Sequence, residues 1–413
     1  MLTDRGKVLL AVSLVAWFIH RTFGVPEAMM AAMAAIALVL VGIVATRVAS
    51  AQLVVRRHVQ PPRLFHDARG EVELRLTNHG RLPTASIQLD DRAPSHLAEG
   101  ARFALRPLGP GETIRLRYRL HGRHRGRYEL GPARIALRDP FGVAQRVQEL
   151  GDLDTVIVYP PVWRLPAGLP LSGHLGGGVA GRPRIRPQGD ELANVRDYVR
   201  GDDLRKVHWR STAHRGTLMV RQDESAQSPQ AVVVLDGRAH AHRGTGPGSS
   251  FESAVTVAAS VTYHLSARGY GFQLLSQPLA GPPRPEPWEL VLDRLAVIQP
   301  QWADMDALWK QLSHGVVGEG VLFLVAPVPT PTELRQIVRA GRAFGSRVAL
   351  LIDVVTFAGR PPVGHATEIT QRANALRAAG WRVAVVGAGD RLDDRWRELI
   401  AQRSGYFVRS GGA

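Results

Sequence analysis

Residues 191–221 concentrate side chains that could do chemistry. The run holds the paired carboxylates of Asp202 and Asp203 and the imidazoles of His208 and His214. Such groups can ligate a metal ion or transfer protons during hydrolysis. Their spacing is not the H-E-x-x-H pattern of a zinc protease, and no G-x-S-x-G pattern surrounds Ser211. A metal-dependent hydrolase centred on these four residues is therefore the alternative hypothesis for function.

A structural interpretation accounts for the same residues. Gly201 makes a turn, and either of the two following aspartates caps the next helix. Trp209 anchors packing between flanking bases, while Arg196 and Arg215 can pair with the acids. This interpretation predicts no catalytic residues in the run.

The run also predicts local elements. We expect the end of a helix at residues 196–198, a turn of small residues at 211–213 and a strand at 217–220. On a helix that starts at Asp203, His208 would lie five residues later and therefore off the same face. The elements favour a structural or docking segment over a catalytic one.

The run resembles the hallmark segment of the bacterial family called domain of unknown function 58, which reads roughly R-x-Y-x-x-G-D-D-x-R-x-I-x-W-x-x-[ST]-A-[RH]-x-G. A second resemblance to this family is the run Asp-Pro-Phe-Gly at 139–142, followed by Val-Ile-Val-Tyr-Pro at 156–160. The residues that we predict as the family hallmark or as a partner-docking surface are Arg196, Tyr198, Gly201, Asp202, Asp203, Arg205, His208, Trp209, Arg210, Ala213, Arg215 and Gly216.

The resemblance implies an architecture and a set of partners. It implies a membrane-anchored protein with a von Willebrand factor A-like domain. It also implies a functional link with a MoxR-type AAA+ ATPase, often encoded beside such proteins together with a transglutaminase-like membrane protein. By this analogy the protein assists the assembly or activation of envelope or stress-related complexes.

Composition limits the classes of function. The chain has 413 residues, enough for two or three units. It has no cysteine, which excludes disulfides, thiol catalysis and zinc–thiolate sites. The net charge of +16 could indicate nucleic acid or anionic lipid as a partner. However, all but three of the 52 basic residues are arginine, which is typical of GC-rich coding. No run alternates bases with stacking rings, so we predict neither a nucleic-acid partner nor a cofactor.

Residues 1–49 predict two transmembrane helices. The run 28–45 is uncharged and nearly as long as a spanning helix requires, and the run 8–19 is shorter. A cleaved signal peptide is disfavoured because no small-x-small site follows the first run, and a buried core helix is the other interpretation of the second. Bases lie before and after the pair (Arg5, Lys7, Arg47, Arg56, Arg57 and Arg63). By the positive-inside rule we expect a two-pass protein of the inner (cytoplasmic) membrane, with its soluble domains in the cytoplasm.

Residues 50–163 predict an all-β, immunoglobulin-like sandwich. Apolar and polar residues alternate at 52–58, 71–77, 86–89 and 113–120. In the last of these runs three arginines occupy one face, which we interpret as solvated in preference to a lipid-binding patch. Residues 164–189, rich in glycine and proline, predict a mobile linker, and 190–229 form the hallmark segment.

Residues 230–413 predict an α/β domain with a doubly wound, mainly parallel sheet. Strands at 231–235, 271–275, 321–325, 347–352 and 382–386 alternate with helices at 251–267, 287–297, 331–344, 367–379 and 393–402. With Asp236 after the first strand, this pattern resembles a von Willebrand factor A domain, whose metal site uses Asp-x-Ser-x-Ser at that point.

The metal site is predicted to be degenerate. Here the five residues read Asp236-Gly237-Arg238-Ala239-His240, and Ala326-Pro327 follows the third strand where an acid is expected. Mg²⁺ requires hard oxygen ligands that an arginine and an imidazole do not supply. We therefore predict no metal, and we expect Arg238 to take the place of the cation by pairing with Asp236. The resulting prediction is a non-enzymatic, membrane-anchored adaptor or scaffold.

Overall fold

A computed structural model describes residues 2–50, 52–170, 195–197, 209–217, 219–221, 230–277, 285–301, 305–314, 320–359 and 361–402. The chain divides into two compact units. The first comprises Met1–Pro161 with Leu292–Ile298, and the second comprises Val162–Val291 with Gln299–Ala413.

The first unit begins with two antiparallel helices, α1 (Asp4–Phe23) and α2 (Pro26–Ser50). Thr3 caps α1 by accepting a hydrogen bond from the Gly6 amide, and Gly24 ends it in the left-handed conformation. Both helices are long and apolar enough to cross a membrane, over Asp4–Phe23 and Pro26–Val48. The predicted pair of apolar helices is thus present.

Residues 53–158 of the first unit form β-structure that is antiparallel except for the parallel pair Arg63–Leu64 and Asp154–Val158. Its strands are β1 (Leu53–Gln60), β2 (Arg63–Leu64), β3 (Arg69–Asn78), β4 (Ser86–Asp91), β5 (Ala98–Glu99), β6 (Arg102–Leu105), β7 (Thr113–His121), β8 (Gly126–Leu130), β9 (Ala133–Arg138), β10 (Gln145–Leu150) and β11 (Asp154–Val158). Two four-stranded sheets have the orders β1-β3-β7-β5 and β10-β9-β4-β6, and a small sheet has the order β2-β11-β8.

Alternation in the sequence explains how these sheets pack. In β3, Val72, Leu74 and Leu76 are buried, as are Ile87 and Leu89 in β4. Residues two apart in a strand face the same side, so both sheets contribute to one core. The four predicted strands correspond to β1, β3, β4 and β7, and the arginines of β7 face outward as predicted.

The side chain of Arg57 is buried inside the β-structure and does not lie on its surface. Its side chain is only 2% exposed and contacts Asp91 at 2.5 Å and Asp154 at 2.9 Å. The Tyr118 hydroxyl donates a third hydrogen bond to this group, to Asp91 at 2.7 Å. Arg57 was one of the bases on which the positive-inside prediction drew, and in the structure its guanidinium is neutralised by acids inside the β-structure.

The start of the predicted linker is packed. Leu165 is buried, and the carbonyl oxygen of Gly168 accepts a hydrogen bond from Nε2 of His264 at 2.9 Å. Trp396 also points its ring nitrogen at this carbonyl, at 3.4 Å. The prediction of a mobile connector is therefore wrong for residues 164–170, because a backbone carbonyl there satisfies buried ring nitrogens. Residues 171–189 lie outside the described part of the chain.

The second unit holds the remaining elements. They are β12 (Val195–Asp197), α3 (Trp209–Arg215), β13 (Met219–Arg221), β14 (Gln230–Leu235), α4 (Ser250–Ser266), β15 (Gly271–Leu275), α6 (Met305–His314), β16 (Val321–Pro327), α7 (Pro331–Gly341), β17 (Ser346–Ile352), α8 (His365–Ala378), β18 (Arg382–Val386) and α9 (Leu392–Ala401). Helix α5 (Trp288–Val297) is divided between the two units.

Five of these strands form one parallel sheet with the order β15-β14-β16-β17-β18. Leu322 and Leu324 of β16 face a core that includes residues of α6, α7 and α8. Phe323 points to the other face, where its ring stacks on Trp396 of α9 with centroids 6.2 Å apart. The predicted parallel sheet with helices on both faces is confirmed. Helix α6 was not predicted.

Candidate functional site

The candidate site lies at the carboxyl edge of the parallel sheet. Chain order and strand order diverge at β14, because the chain goes first to β15 on one side and then to β16 on the other. In open parallel sheets such a switch point leaves a crevice beyond the strand ends, where ligands bind. Asp236 follows β14 directly, and its amide donates a hydrogen bond to the Val325 carbonyl of β16. Asp236 therefore lies at the switch point.

Arg238 binds the Asp236 carboxylate through several donors. Its Nε lies 3.0 and 3.1 Å from the two carboxylate oxygens, and its Nη2 lies 2.6 Å from Oδ2. The backbone amide of Arg238 donates to Oδ1 at 3.1 Å. The Asp236 side chain is 3% exposed and that of Arg238 16%. The predicted pairing of Arg238 with Asp236 is present in the structure.

A second acid completes this group. Nη1 of Arg238 donates to Oε1 of Glu333, a residue of the first turn of α7. Burial alone would lower the pKa of Arg238, but the hydrogen bonds and charges of Asp236 and Glu333 outweigh it and raise the pKa. The guanidinium therefore stays charged, and the three side chains together carry one net negative charge. We call Asp236, Arg238 and Glu333 the edge triad.

The start of α7 holds Glu333 in place. The other carboxylate oxygen of Glu333 accepts hydrogen bonds from the amide and hydroxyl of Thr330, at 2.8 and 2.9 Å, in a capping box. Burial would raise the pKa of Glu333, but the bonds from Thr330 and Arg238 lower it. Glu333 was not predicted from the sequence as a site residue. The run Thr-Pro-Thr-Glu at 330–333 is a capping-box pattern that could have located it, although not its contact with Arg238.

The edge has a buried imidazole at His242, whereas His240, which was predicted as a position of the degenerate metal site, is exposed. His242 is 8% exposed. Nε2 of His242 lies 2.8 Å from the Asp236 carbonyl oxygen, and Nδ1 lies 3.1 Å from Oγ of Ser250. Burial lowers the pKa of His242, so a neutral ring that donates from Nε2 fits both contacts. His242 thus supports the loop that carries Arg238.

A third part of the edge follows β17. Asp353 binds His365, the first residue of α8, with Oδ1 and Nε2 2.7 Å apart. The loop between them presents Val363, which is fully exposed, next to the exposed Pro361 and Pro362. An apolar side chain in that position contributes nothing to the core. It is the kind of residue that a protein partner can cover.

The donor set of the edge does not suit a divalent cation. Within the described ranges, no group of three or more His, Cys, Asp or Glu residues is placed to hold a metal ion. Both oxygens of Asp236 are engaged by a guanidinium that a cation would have to displace. Hard cations require several free oxygen ligands, and here the nearest two carboxylates already neutralise Arg238.

The hallmark segment is described only in part. Strand β12 pairs antiparallel with β13, so that Arg196 lies opposite Val220. The predicted helix end at 196–198 is thus wrong for residues 196 and 197, because the pairing with β13 makes them part of a strand. The predicted turn at 211–213 is also wrong, because these small residues are tolerated inside α3, which ends where Gly216 adopts a left-handed conformation. The amide of Met219 donates to Thr212 Oγ1, which ties α3 to β13.

The described residues do not bring the hydrolase candidates together. His214 is exposed on α3, as are Ala213 and Arg215. For Trp209, Arg210 and Arg196 only the backbone is described, and Tyr198, Gly201, Asp202, Asp203, Arg205 and His208 lie outside the described residues. The hydrolase alternative therefore remains a hypothesis from sequence.

Comparison with known proteins finds a family model that matches part of the chain. Residues 194–355 match the model of the family described as "Protein of unknown function DUF58". This range contains the edge triad and the hallmark segment from residue 194 onward. "Uncharacterized protein YeaD" of Bacillus subtilis (strain 168) is 26% identical over 165 residues. The match covers 40% of this chain and 39% of that relative, so less than half of either protein is compared.

Similarities to solved structures are weak. The CARDB domain of the PF1109 protein from Pyrococcus furiosus, crystallised in complex with di-metal ions, is 19% identical with a TM-score of 0.20. The match covers 26% of this chain and 86% of that domain. The native conformation of alpha-2-macroglobulin from E. coli is 12% identical with a TM-score of 0.21, over 85% of this chain and 22% of that chain.

Proposed function

We propose that this protein is a member of the DUF58 family and a non-enzymatic, membrane-anchored adaptor. Its α/β unit is von Willebrand factor A-like and receives protein partners at the carboxyl edge of the sheet without a metal ion. The observation that carries the proposal is the edge triad. A cationic side chain, fixed between two carboxylates, stands where a related domain would place a divalent cation.

The triad gives the edge a charge that does not depend on solution metal. The guanidinium of Arg238 remains protonated across the physiological pH range, and Asp236 and Glu333 hold it in one position. A partner that docks here therefore meets a preformed surface instead of completing the coordination sphere of an ion. Preorganised surfaces lose less conformational entropy on binding.

The exposed Val363 supports protein docking at the same edge. Interfaces centre on apolar side chains that become fully covered, surrounded by polar residues. Val363 lies two residues before His365, which binds Asp353 at the end of β17. Val363 and the edge triad follow neighbouring parallel strands at the same sheet edge, and together they supply both parts of such an interface.

We further propose that α1 and α2 anchor the protein in the inner (cytoplasmic) membrane. Their length and composition support this, and the exposed Arg5, Lys7 and Arg56 flank them on one side. By the positive-inside rule that side is cytoplasmic. The proposed partners are a MoxR-type AAA+ ATPase and a transglutaminase-like membrane protein, and this part of the proposal is supported by family resemblance alone.

The test is binding of the purified MoxR-type ATPase, with Mg²⁺ and ATP present throughout, to the full-length protein in lipid nanodiscs. We expect Val363→Asp and Arg238→Glu to abolish binding by altering the edge. Arg372→Ala is the matched control, because Arg372 pairs with Glu368 on the surface of α8. Equal binding by all four proteins would refute docking at this edge, and failure of the wild type to bind would refute the proposed partner.

A further inference from the structure

The turn between β9 and β10 is held against the N-terminal helices. The hydroxyl of Thr3 donates to the Gly142 carbonyl at 2.6 Å, and the Thr3 amide donates to the Val143 carbonyl at 3.1 Å. Leu2 also forms a β-bridge with Ala144. The residues that precede α1 therefore continue the β9–β10 hairpin. We call residues 139–144 the DPFG turn.

One glycine on each helix makes room for this turn. A Cβ atom at Gly6 of α1 would overlap the Val143 carbonyl oxygen, and one at Gly42 of α2 would come within 2.9 Å of Val143 Cγ2. Glycine allows such close approach because it has no side chain. The turn is thus seated against both helices at the level of these two residues.

The turn itself is rigid. Asp139 is buried, and its carboxylate accepts hydrogen bonds from the Phe141 amide at 2.9 Å and from the Ala144 amide at 2.5 Å. Gly142 adopts a φ of 69°, in the left-handed region. Phe141, at the tip, is 56% exposed. Because the backbone of the turn is held by hydrogen bonds, the exposed ring of Phe141 is positioned for contact with a partner.

The position of the turn along α2 indicates what Phe141 contacts. The candidate membrane span of α2, Pro26–Val48, includes Arg47 near its end and finishes six residues after Gly42. At ~1.5 Å per residue this places Gly42 about 9 Å inside the end of the run. A run of 23 residues is only slightly longer than the ~30 Å of a hydrocarbon core. The DPFG turn therefore reaches the boundary between the lipid headgroups and the acyl chains.

The side chains at the tip suit this boundary. The guanidinium of Arg5 lies alongside Gly142, with Nη1 3.7 Å from where a Cβ atom would stand. Aromatic rings are enriched where headgroups meet acyl chains, and arginine binds phosphate in bidentate geometry. We propose that Phe141 inserts into the membrane interface and that Arg5 binds lipid phosphate, so that the DPFG turn is a lipid contact of the β-sheet unit. This inference rests on the proposed membrane anchoring.

The absence of cysteine from the chain allows a direct test with single-cysteine variants. Phe141→Cys reports the turn. Phe18→Cys, at a residue of α1 that is 62% exposed, reports the anchor. Leu153→Cys is the matched aqueous control, because Leu153 is 59% exposed and follows the far end of β10. Each full-length variant is labelled with an NBD fluorophore. It is then reconstituted in nanodiscs of equal parts phosphatidylcholine and phosphatidylglycerol.

We expect lipid with a nitroxide near its headgroup to quench the label at position 141 several-fold more than the label at 153. Lipid with a nitroxide deep in its acyl chain should quench position 18 more than position 141. Arg5→Glu should reduce quenching at 141 without changing it at 18. If position 18 is quenched and 141 behaves like 153, the lipid contact is refuted while the anchor stands. If 18 and 141 both escape quenching, the anchor itself is refuted.

Discussion

Nε and Nη2 of Arg238 donate hydrogen bonds to both carboxylate oxygens of Asp236. Asp236 lies at the end of β14, the first strand of the parallel sheet along the chain. The two residues are separated by a single glycine, so the contact is made within one tight loop. It fills the point of the sheet where ligands of open α/β domains bind. The stability of that loop, and its behaviour toward cations, can both be measured.

Removing Arg238 should destabilise the α/β unit. Arg238→Ala leaves Asp236 buried without a counter-charge, which costs about 3–5 kcal/mol for a fully buried pair. Because Arg238 retains some exposure, we expect Arg238→Ala to lower the free energy of unfolding, measured in denaturant, by about 2–3 kcal/mol. The control Arg372→Ala removes a surface pair and should cost less than about 0.5 kcal/mol. Equal losses in the two variants would show that the triad contributes no special stability.

A larger loss is expected in the β-structure at Arg57. The side chains of Arg57 and Asp91 are 2% and 0% exposed, and Arg57→Leu would leave the Asp91 carboxylate unpaired. We expect a loss of about 3–5 kcal/mol in unfolding free energy. The neighbouring pair of Arg102 and Asp90 offers a matched control, since the Arg102 side chain is 85% exposed. If Arg102→Leu proves as harmful as Arg57→Leu, burial is not the cause.

His264 should make stability depend on pH. Burial disfavours the charged imidazolium and lowers the pKa of His264 to about 4, against about 6.5 in the unfolded chain. As pH falls below about 6.5 the unfolded state takes up the proton first, so stability is present above that pH and is lost toward pH 4. We expect a loss on the order of 2 kcal/mol between about pH 7.5 and pH 5. His264→Gln should abolish this component and the exposed His58→Gln should not. If the unfolding free energy of all three proteins depends on pH in the same way, His264 is not the source of the pH dependence.

The proposed topology has a simple cellular test. With residues 50–413 in the cytoplasm, protease added to intact cells should leave a C-terminal tag uncut, and the same protease should cut it after the membrane is permeabilised. Cleavage within 171–189 from outside would reverse the orientation.

The local pattern of apolar and polar residues predicted most of the fold, because the burial of one face of each element imposes that pattern on the sequence. The five parallel strands were predicted from continuous apolar runs, and β3 and β7 from alternation. Helix α6 escaped prediction although Leu308 and Trp309 are buried on one side of it. Strand β12 was misassigned because its partner, β13, lies more than twenty residues away, and local propensity does not reveal such pairing.

Part of the candidate site could likewise be predicted from the sequence, and part could not. Asp236 and Arg238 are two residues apart, so their pairing could be predicted from charge and spacing. Glu333 joins them across 95 residues, and only the packing of α7 beside β14 and β16 brings it there. His242 was passed over because an imidazole near a strand end gives no sequence signal that separates a buried support from an exposed residue.

The central claim, that Arg238 replaces a metal ion at the edge, is tested most directly by the melting temperature with and without saturating Mg²⁺. A ligand at a hundred times its dissociation constant stabilises a protein by ~2.7 kcal/mol, a shift that is easily detected. We predict no shift for the wild type, and a rise for Arg238→Ser/His240→Ser, which restores hydroxyl oxygens and frees Asp236. A rise in the wild type that disappears in Asp236→Ala would contradict the claim.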